Sequence, residues 1–581
     1  MGVLSYLNHI NDPADISGLS ISQLGELATE CREFLIETIL GNGGHFAGNL
    51  GVVELTVALL AVFDTTSDRI VWDVGHQSYV YKTLTGRRDS LHTIRNYEGI
   101  SGFPKLGENN ADHFGTGHSS TAISAALGMA MAARLKNETG KNHIAIVGDG
   151  ALSGGMAFEA LNNAAALQPN LLIIVNDNQI SIDPSTGAIN EHLANITNQS
   201  SNIFTNLNLA YHGPIDGHDI NALLDALHRL KSEQGARVLH VKTIKGKGFP
   251  AAEAEQTKWH STTKYTKIST EKQSALPKWH EVAGDTMFAI ASQNQSVVGI
   301  TPAMPSGSGL VNCFKEMPSQ FFDVGIAEQH AVTFAAGLAT SGIKPYLFIY
   351  STFLQRGYDQ AIHDVALQQL PVVFCIDRAG LVGEDGPTHH GAFDIPMLRC
   401  IPNIKLLAPA TKTELEAMMQ MAQHHPYPIA IRYPKGSIPE WSWDFEVDTI
   451  LDHPGVCLTE GNTTAILTTG HATHLAAEAI KLAPNHAAHY HFPVINPHKP
   501  TQLLPLIANN FRHIITVEDG AIKGGFGEAL FRDLYALGYK GSIHHLGIPD
   551  HFITHGNNRL LYRDCGYSPE RISQVLKSLN Q

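Results

Sequence analysis

Short apolar runs alternate with stretches of helical periodicity along almost the whole chain. IAIVG (144–148) and LLIIVN (171–176) are β-branched and uninterrupted, as buried parallel strands require. Between them, GMAFEALNNAAAL (155–167) has helical spacing. Both runs end in polar or glycine clusters, Gly148-Asp149-Gly150 and Asn176-Asp177-Asn178. This is strand, helix, strand with polar groups at the carboxyl ends of the strands, where open α/β sheets bind ligands.

The same alternation predicts three blocks. The first, residues 1–249, includes the helical LGVVELTVALLAVF, the strand RIVWDVGHQ, the helix in FGTGHSSTAISAALGMAMAARLKN, and VLHVKTIKGKGF. Ser119 or Ser120 is placed to cap that second helix. A polar stretch at 250–277 reads as a linker. The second block, 278–437, has strands VVGIT, FFDVG, KPYLFIYS and LPVVFCID, with helices QHAVTFAAGLATSG and RGYDQAIHDVAL. Residues 438–462, rich in Pro, Trp and Asp, read as a second linker. The third block, 463–581, alternates TTAILTTG, HIITVEDG and SIHHLGIPD with helices, and its strand ends carry few catalytic residue types. The predicted class is α/β, with three doubly wound, mostly parallel sheets.

Composition narrows the function classes. The chain has 581 residues, enough for roughly three or four domains. A formal charge of −14 argues against a nucleic-acid partner, which calls for a basic stripe. Six cysteines form no CxxC pair and sit mostly in apolar surroundings, the pattern of reduced thiols in a cytosolic protein. No run is long and apolar enough to span a membrane, and MGVLSYLNHI is neither a signal peptide nor a myristoylation motif.

The chemistry concentrates at the first pair of strand ends. Glycines at 148 and 150 let backbone N–H groups approach phosphate oxygens, aided by a helix N-terminus. Asp149 and Asn178 offer hard oxygen ligands of the kind Mg²⁺ takes beside phosphate. Far downstream, VGIAEQHAV places Glu328 at the start of a helical stretch. Alone, Glu328 reads as an ordinary helix N-terminal carboxylate. Together with the GDG–NDN cradle it reads as part of a cofactor site.

Further segments sharpen this: GGHFAGNLG, WDVGHQSYVYKTLTGRR, GTGHSST, VGDGALSGGMAFEA, NDNQISI, GPIDGHD, KGKGF, AEQHAVTFAAGL, IYSTFLQRGYDQ, IDRAGLVGEDGPTHHGAFD and IRYPKG. Across nearly its whole length the chain resembles the 1-deoxy-D-xylulose-5-phosphate synthases, transketolase-like thiamine diphosphate enzymes. The resemblance implies two thiamine diphosphate-binding folds and a C-terminal transketolase-type domain in a cytosolic homodimer. It implies that pyruvate and D-glyceraldehyde 3-phosphate give 1-deoxy-D-xylulose 5-phosphate and CO₂, a step toward isoprenoids, thiamine and pyridoxal phosphate.

It also assigns residues. Glu328 would bond the cofactor's aminopyrimidine, in a dry site that raises its pKa. Asp149, Asn178 and the carbonyl of Ile180 would hold Mg²⁺. His76, Gly117, His118, Ser119, Gly150 and Ala151 would line the cofactor. Ile182, Phe249 and Phe353 would contact its rings, although core packing explains each of them as well. Tyr350 and Arg356 would lie near bound pyruvate, and Arg378 and Arg432 would take the aldehyde's phosphate through bidentate forks. A solvated loop is the plainer reading of either arginine. His45 and His389 would orient hydroxyls or carry protons, Asp385 would fix His389 or the aldehyde, and His260 would lie near the pyruvate adduct. His390 would point elsewhere.

The chain departs from the family between Asn190 and Tyr211, where several dozen residues are missing. Two other readings stay open: a transketolase-type ketol transferase, and a non-catalytic dimeric scaffold of the same fold.

Overall fold

The apolar runs named above all form strands. In this computed structural model residues 5–138, 140–197, 201–263, 276–441, 443, 451, 455–483, 487–496 and 503–579 are described. The chain divides into two units: Met1–Glu271 with Gly325–Ala327, and Lys272–Val324 with Glu328–Gln581.

The first unit is built on a five-stranded parallel sheet, in the order Arg69–Trp72, His143–Gly148, Leu171–Asp177, Ala236–Lys242, Ala210–Asp216. Central strands are buried along their length, which is why they read as unbroken apolar runs. The strand Ala210–Asp216 carries Gly213 and Pro214 and is half-exposed. It lies at the sheet edge, where proline's missing N–H is tolerated, so it gives no apolar signal in the sequence. The shortened segment holds two helices, Ala188–Asn195 and Ile203–Asn206.

The second unit contains two sheets. One is six-stranded and all parallel, in the order Lys405–Leu407, Ile429–Arg432, Val373–Asp377, Lys344–Tyr350, Val297–Thr301, Phe321–Asp323. The other is five-stranded, with Val456–Thr459 antiparallel to Ala487–His491 at one edge and the other pairings parallel. The α/β, mostly parallel expectation therefore holds, with three large sheets and a two-stranded antiparallel ribbon among the described residues. One apolar core runs through both sheets, from Leu406 and Phe374 to Leu467 and Ile514. Backbone bonds join them as well, Ala408 N–H to Pro493 O at 2.8 Å and Ile495 N–H to Leu406 O at 2.9 Å. That shared core explains why the second and third blocks form one unit.

Both stretches read as linkers carry structure where they are described. Pro250–Ala254 is a helix, and Ser261–Thr262 pairs with Gly44–His45. Val456–Thr459 is the antiparallel edge strand. Residues 264–275, 442, 444–450 and 452–454 lie outside the described residues.

The cap expected of Ser119 or Ser120 is not the one that forms. Helix Ala122–Leu135 begins after Thr121, with no side-chain cap from its own N-cap residue. Asp73, at the end of its strand, accepts instead from Ser120 N–H at 2.7 Å and Ala122 N–H at 3.0 Å. Ser120 Oγ turns away and donates to Ala151 O at 2.7 Å. A carboxylate is the stronger acceptor, so the distant Asp73 displaces the local hydroxyl.

Three of the six cysteines, Cys31, Cys313 and Cys375, are buried thiols, and Cys400 and Cys457 are exposed. Among the described residues, no helix is long and apolar enough to cross a membrane.

The third sheet buries a group of neutral imidazoles. Burial, then nearby cations and imidazoles, pushes His471 and His474 down to about 4 and His489 to about 3. The unfolded chain titrates these groups near 6.5. It therefore takes up protons first as pH falls, and stability is complete above 6.5 and lost progressively below it. Each pH unit below 6.5 costs up to about 1.4 kcal/mol per imidazole until its folded pKa is reached. Thermal melts should show Tm dropping steeply between pH 6.5 and 4.5. A flat Tm over that window would contradict the burial of these rings.

Candidate active site

In the first unit, Asp149 begins the helix Asp149–Leu152 directly after its strand and is 2% exposed. It accepts from the Asn178 backbone and the Ser185 hydroxyl. Its Oδ2 is buried with no hydrogen-bond partner among the described residues. Burial, reinforced by the neighbouring Asp177 carboxylate, raises its pKa to about 6. A buried carboxylate oxygen with an unused lone pair is a site that wants a cation. Asn178 adds an amide oxygen, which accepts from Ile180 N–H at 3.1 Å. Among the described residues no three His, Cys, Asp or Glu side chains cluster as metal ligands. Mg²⁺ needs no such cluster, because it takes one or two protein oxygens beside phosphate and water. The donors present fit that ion. A Cβ at residue 150 would lie 1.9 Å from Ser181 Oγ, so glycine here leaves that hydroxyl its place.

Lys245 completes the cradle. It is buried, donates to the Ser181 carbonyl, and interacts electrostatically with Asp149 and Asp183. Burial lowers its pKa to about 8. Of KGKGF only Phe249 is among the expected site residues; the alternation of lysines and glycines is the signal that points to Lys245.

Three expected imidazoles converge in the same unit. Ring centroids lie 5.7 Å apart for His45 and His76, 5.8 Å for His45 and His260, and 5.2 Å for His76 and His260. Pairing of Gly44–His45 with Ser261–Thr262 brings His260 there from a distance in sequence. Burial drives the His76 pKa down to about 3, so that ring is neutral. Phe249 packs on Phe46 and Trp259, at 5.2 and 5.1 Å. Ser119 and Ala151 are buried, and His118 and Ile182 are half-buried.

The second unit gathers its own set. Glu328 heads the helix Glu328–Thr340 and is 6% exposed. Burial raises its pKa, against the opposing pull of Arg356, whose Nη1 lies 3.9 Å from Oε2. Tyr350 ends its strand and stacks on Phe353 at 5.4 Å, and Phe353 meets the His389 ring edge-on at 5.7 Å. The Arg378 guanidinium covers the other ring partner, with Cζ 4.9 Å from the Tyr350 centroid and Nη2 donating to Tyr350 OH at 3.2 Å. Asp385 is close enough to act electrostatically on Tyr350. His390 does point elsewhere: Nδ1 accepts from Val382 N–H and Nε2 faces Thr554 O, both at 3.1 Å.

Arg432 is bonded deep within the second unit. Its side chain is 4% exposed. Nε donates to Asp394 at 2.9 Å and Nη2 to Asp519 O at 2.8 Å. These bonds tie the second sheet to the third. Arg432→Ala leaves Asp394 buried without its counter-ion and should destabilise the protein by about 3–5 kcal/mol. Urea unfolding would measure this; a change below about 1 kcal/mol would contradict the pairing.

The comparisons with known proteins bear on this arrangement. A family model described as 1-deoxy-D-xylulose-5-phosphate synthase matches residues 7–203 and 197–243. The transketolase pyrimidine-binding and C-terminal domain models match 276–440 and 455–572. The chain is 43% identical to the 1-deoxy-D-xylulose-5-phosphate synthase of Cytophaga hutchinsonii over 99% of its own length and 98% of the relative's. It is 44% identical to that of Bacteroides fragilis over 98% and 96%. The chain belongs to the 1-deoxy-D-xylulose-5-phosphate synthase family. It also aligns with transketolase from Leishmania mexicana over 97% of both chains, at 17% identity and a TM-score of 0.46. As a member of this family, the chain lacks residues that the Cytophaga relative has. The Cytophaga alignment spans 628 positions against 581 residues, and the N-terminal family model matches in two stretches that meet at 197–203.

Proposed function

We propose that this chain catalyses the decarboxylative condensation of pyruvate with D-glyceraldehyde 3-phosphate, giving 1-deoxy-D-xylulose 5-phosphate and CO₂, as a cytosolic homodimer. The observation that carries this reading is the buried Glu328 carboxyl with its raised pKa, in a family of thiamine diphosphate enzymes. When bound, thiamine diphosphate supplies the electron sink for the carbon–carbon bond broken and the one formed.

The residues divide the remaining work. Asp149, the Asn178 side chain and the Ile180 carbonyl hold Mg²⁺ against the diphosphate, and Lys245 adds a charge-assisted donor. His76, Gly117, His118, Ser119, Gly150 and Ala151 line the cofactor. Ile182, Phe249 and Phe353 exclude water from its rings. Glu328 presents a proton to the pyrimidine ring nitrogen, for which a carboxyl that resists ionisation is suited. Arg356 and Tyr350 bind pyruvate. His45 and His260, beside neutral His76, orient its oxygen atoms and pass protons. Arg378 and Arg432 take the aldehyde's phosphate, while Asp385 and His389 align its carbonyl. Boundaries at 249, 278, 437 and 463 mark the three transketolase-type domains.

Asp149 provides the test of the cradle. Calorimetric titration of Asp149→Ala with Mg²⁺ and thiamine diphosphate should show affinity at least tenfold weaker. The unloaded variant should melt no lower than the parent at pH 7.5. A carboxyl whose folded pKa is raised to about 6 is destabilising once ionised, so its removal relieves the unloaded protein. Unchanged affinity would make Asp149 a turn residue only.

A further inference from the structure

The loop at 378–391 follows the strand Val373–Asp377 and carries Arg378, Asp385 and His389. Its only helical turn is Gly386–Thr388. Arg378 holds the strained φ of 62°, while Gly380, Gly383 and Gly386 take φ 78°, 91° and 71° at little cost. A branched-out arginine holds the left-handed region only where its surroundings dictate it.

Those surroundings come from the third sheet and the chain beyond it. Leu381 N–H donates to Asp519 Oδ1 at 3.0 Å, and Leu381 O accepts from Asn558 Nδ2 at 2.8 Å. His390 ties Val382 N–H to the Thr554 carbonyl. Asp519 is itself 2% exposed and fixed from behind by Tyr567 OH at 2.9 Å. A Cβ at residue 380 would fall 2.2 Å from the Asp519 carboxylate carbon. The loop backbone is thus seated directly on that carboxylate. On its other side, the Arg378 fork meets Tyr350 OH.

We propose that Asp519 and Asn558, with His390, form a clamp that fixes the first turn of the loop, residues 378–382, and so aims the Arg378 fork, making the third sheet a specificity element for the acceptor's phosphate. The inference rests on the assignment of Arg378 to that phosphate. Asp519, Asn558 and His390 are positioning residues and need touch no substrate.

The test uses full-length holoenzyme. Asn558→Ala removes the bond to Leu381 O together with the side-chain bond to Tyr562, and Asp519→Ala, which deletes the acceptor of Leu381 N–H, is the second variant. Each should raise KM for D-glyceraldehyde 3-phosphate tenfold or more. KM for pyruvate, and kcat/KM for unphosphorylated D-glyceraldehyde, should change less than twofold. In an Arg378→Ala background the same substitutions should add less than twofold to the aldehyde KM, because the group they aim is gone. Equal losses with both aldehydes, an undiminished effect in the Arg378→Ala background, or a lowered Tm with unchanged KM would overturn the clamp. If Arg378→Ala alone leaves the phosphorylated aldehyde's KM unchanged, the assignment beneath the clamp fails, and the clamp with it.

Discussion

Replacing Glu328 with alanine is expected to lower kcat by about three orders of magnitude while the protein still folds and still binds Mg²⁺. Positioned acid–base groups contribute about 10²–10⁴-fold. Glu328 is the buried carboxyl at the head of its helix, and Arg356, at 3.9 Å, is its near cation. Burial already disfavours its charged form, so losing the carboxyl removes a costly group and not a stabilising one. Glu328→Gln keeps the volume and a hydrogen-bond donor but cannot pass a proton, and it should be nearly as impaired. Steady-state rates, paired with the exchange rate of the bound cofactor's C2 proton, would measure this. A variant that keeps a tenth of the parent's kcat would remove Glu328 from the chemistry.

Arg378→Ala is expected to raise KM for D-glyceraldehyde 3-phosphate by about 30- to 1000-fold and to leave KM for pyruvate within a few-fold. Truncating one partner of a charged, largely desolvated pair costs about 2–4 kcal/mol. Asp377 approaches the guanidinium at 3.8 Å and Tyr350 accepts from it, so the fork is held in one orientation even without substrate. Preorganisation of that kind makes its loss costly. Unphosphorylated D-glyceraldehyde should respond little. If pyruvate's KM rises instead, the two anion sites are exchanged between Arg378 and Arg356.

The sequence made the architecture legible where strands are buried on both faces. Ile144–Gly148, Leu171–Asn176 and Val373–Asp377 read directly as strands because nothing polar interrupts them. Edge and short strands were hidden. Ala210–Asp216 carries a Gly-Pro pair, and Val456–Thr459 lies in a stretch whose composition suggests a linker. Residues bound to strand ends were easy to find, as Asp149 and Tyr350 show. What the sequence could not show was commitment to a distant partner. Arg432 and Arg378 each follow an apolar run, and only the fold reveals that Asp394 and Asp519 O occupy the first. Asp519 looked unremarkable for the same reason. Its role comes from Leu381 and Tyr567, which approach it from far away in the chain. Lys245 was hidden by its own motif, because glycines on either side make a lysine look like a loop residue.

Carboxyl-labelled pyruvate tests the central claim most directly. Holoenzyme supplied with [1-¹⁴C]pyruvate and D-glyceraldehyde 3-phosphate should release one labelled CO₂ for each unlabelled pentulose phosphate, identified by mass as 1-deoxy-D-xylulose 5-phosphate. Product formed from a ketose donor with no CO₂ released would make the chain a ketol transferase, and absence of both products would leave it a scaffold; either result contradicts the account.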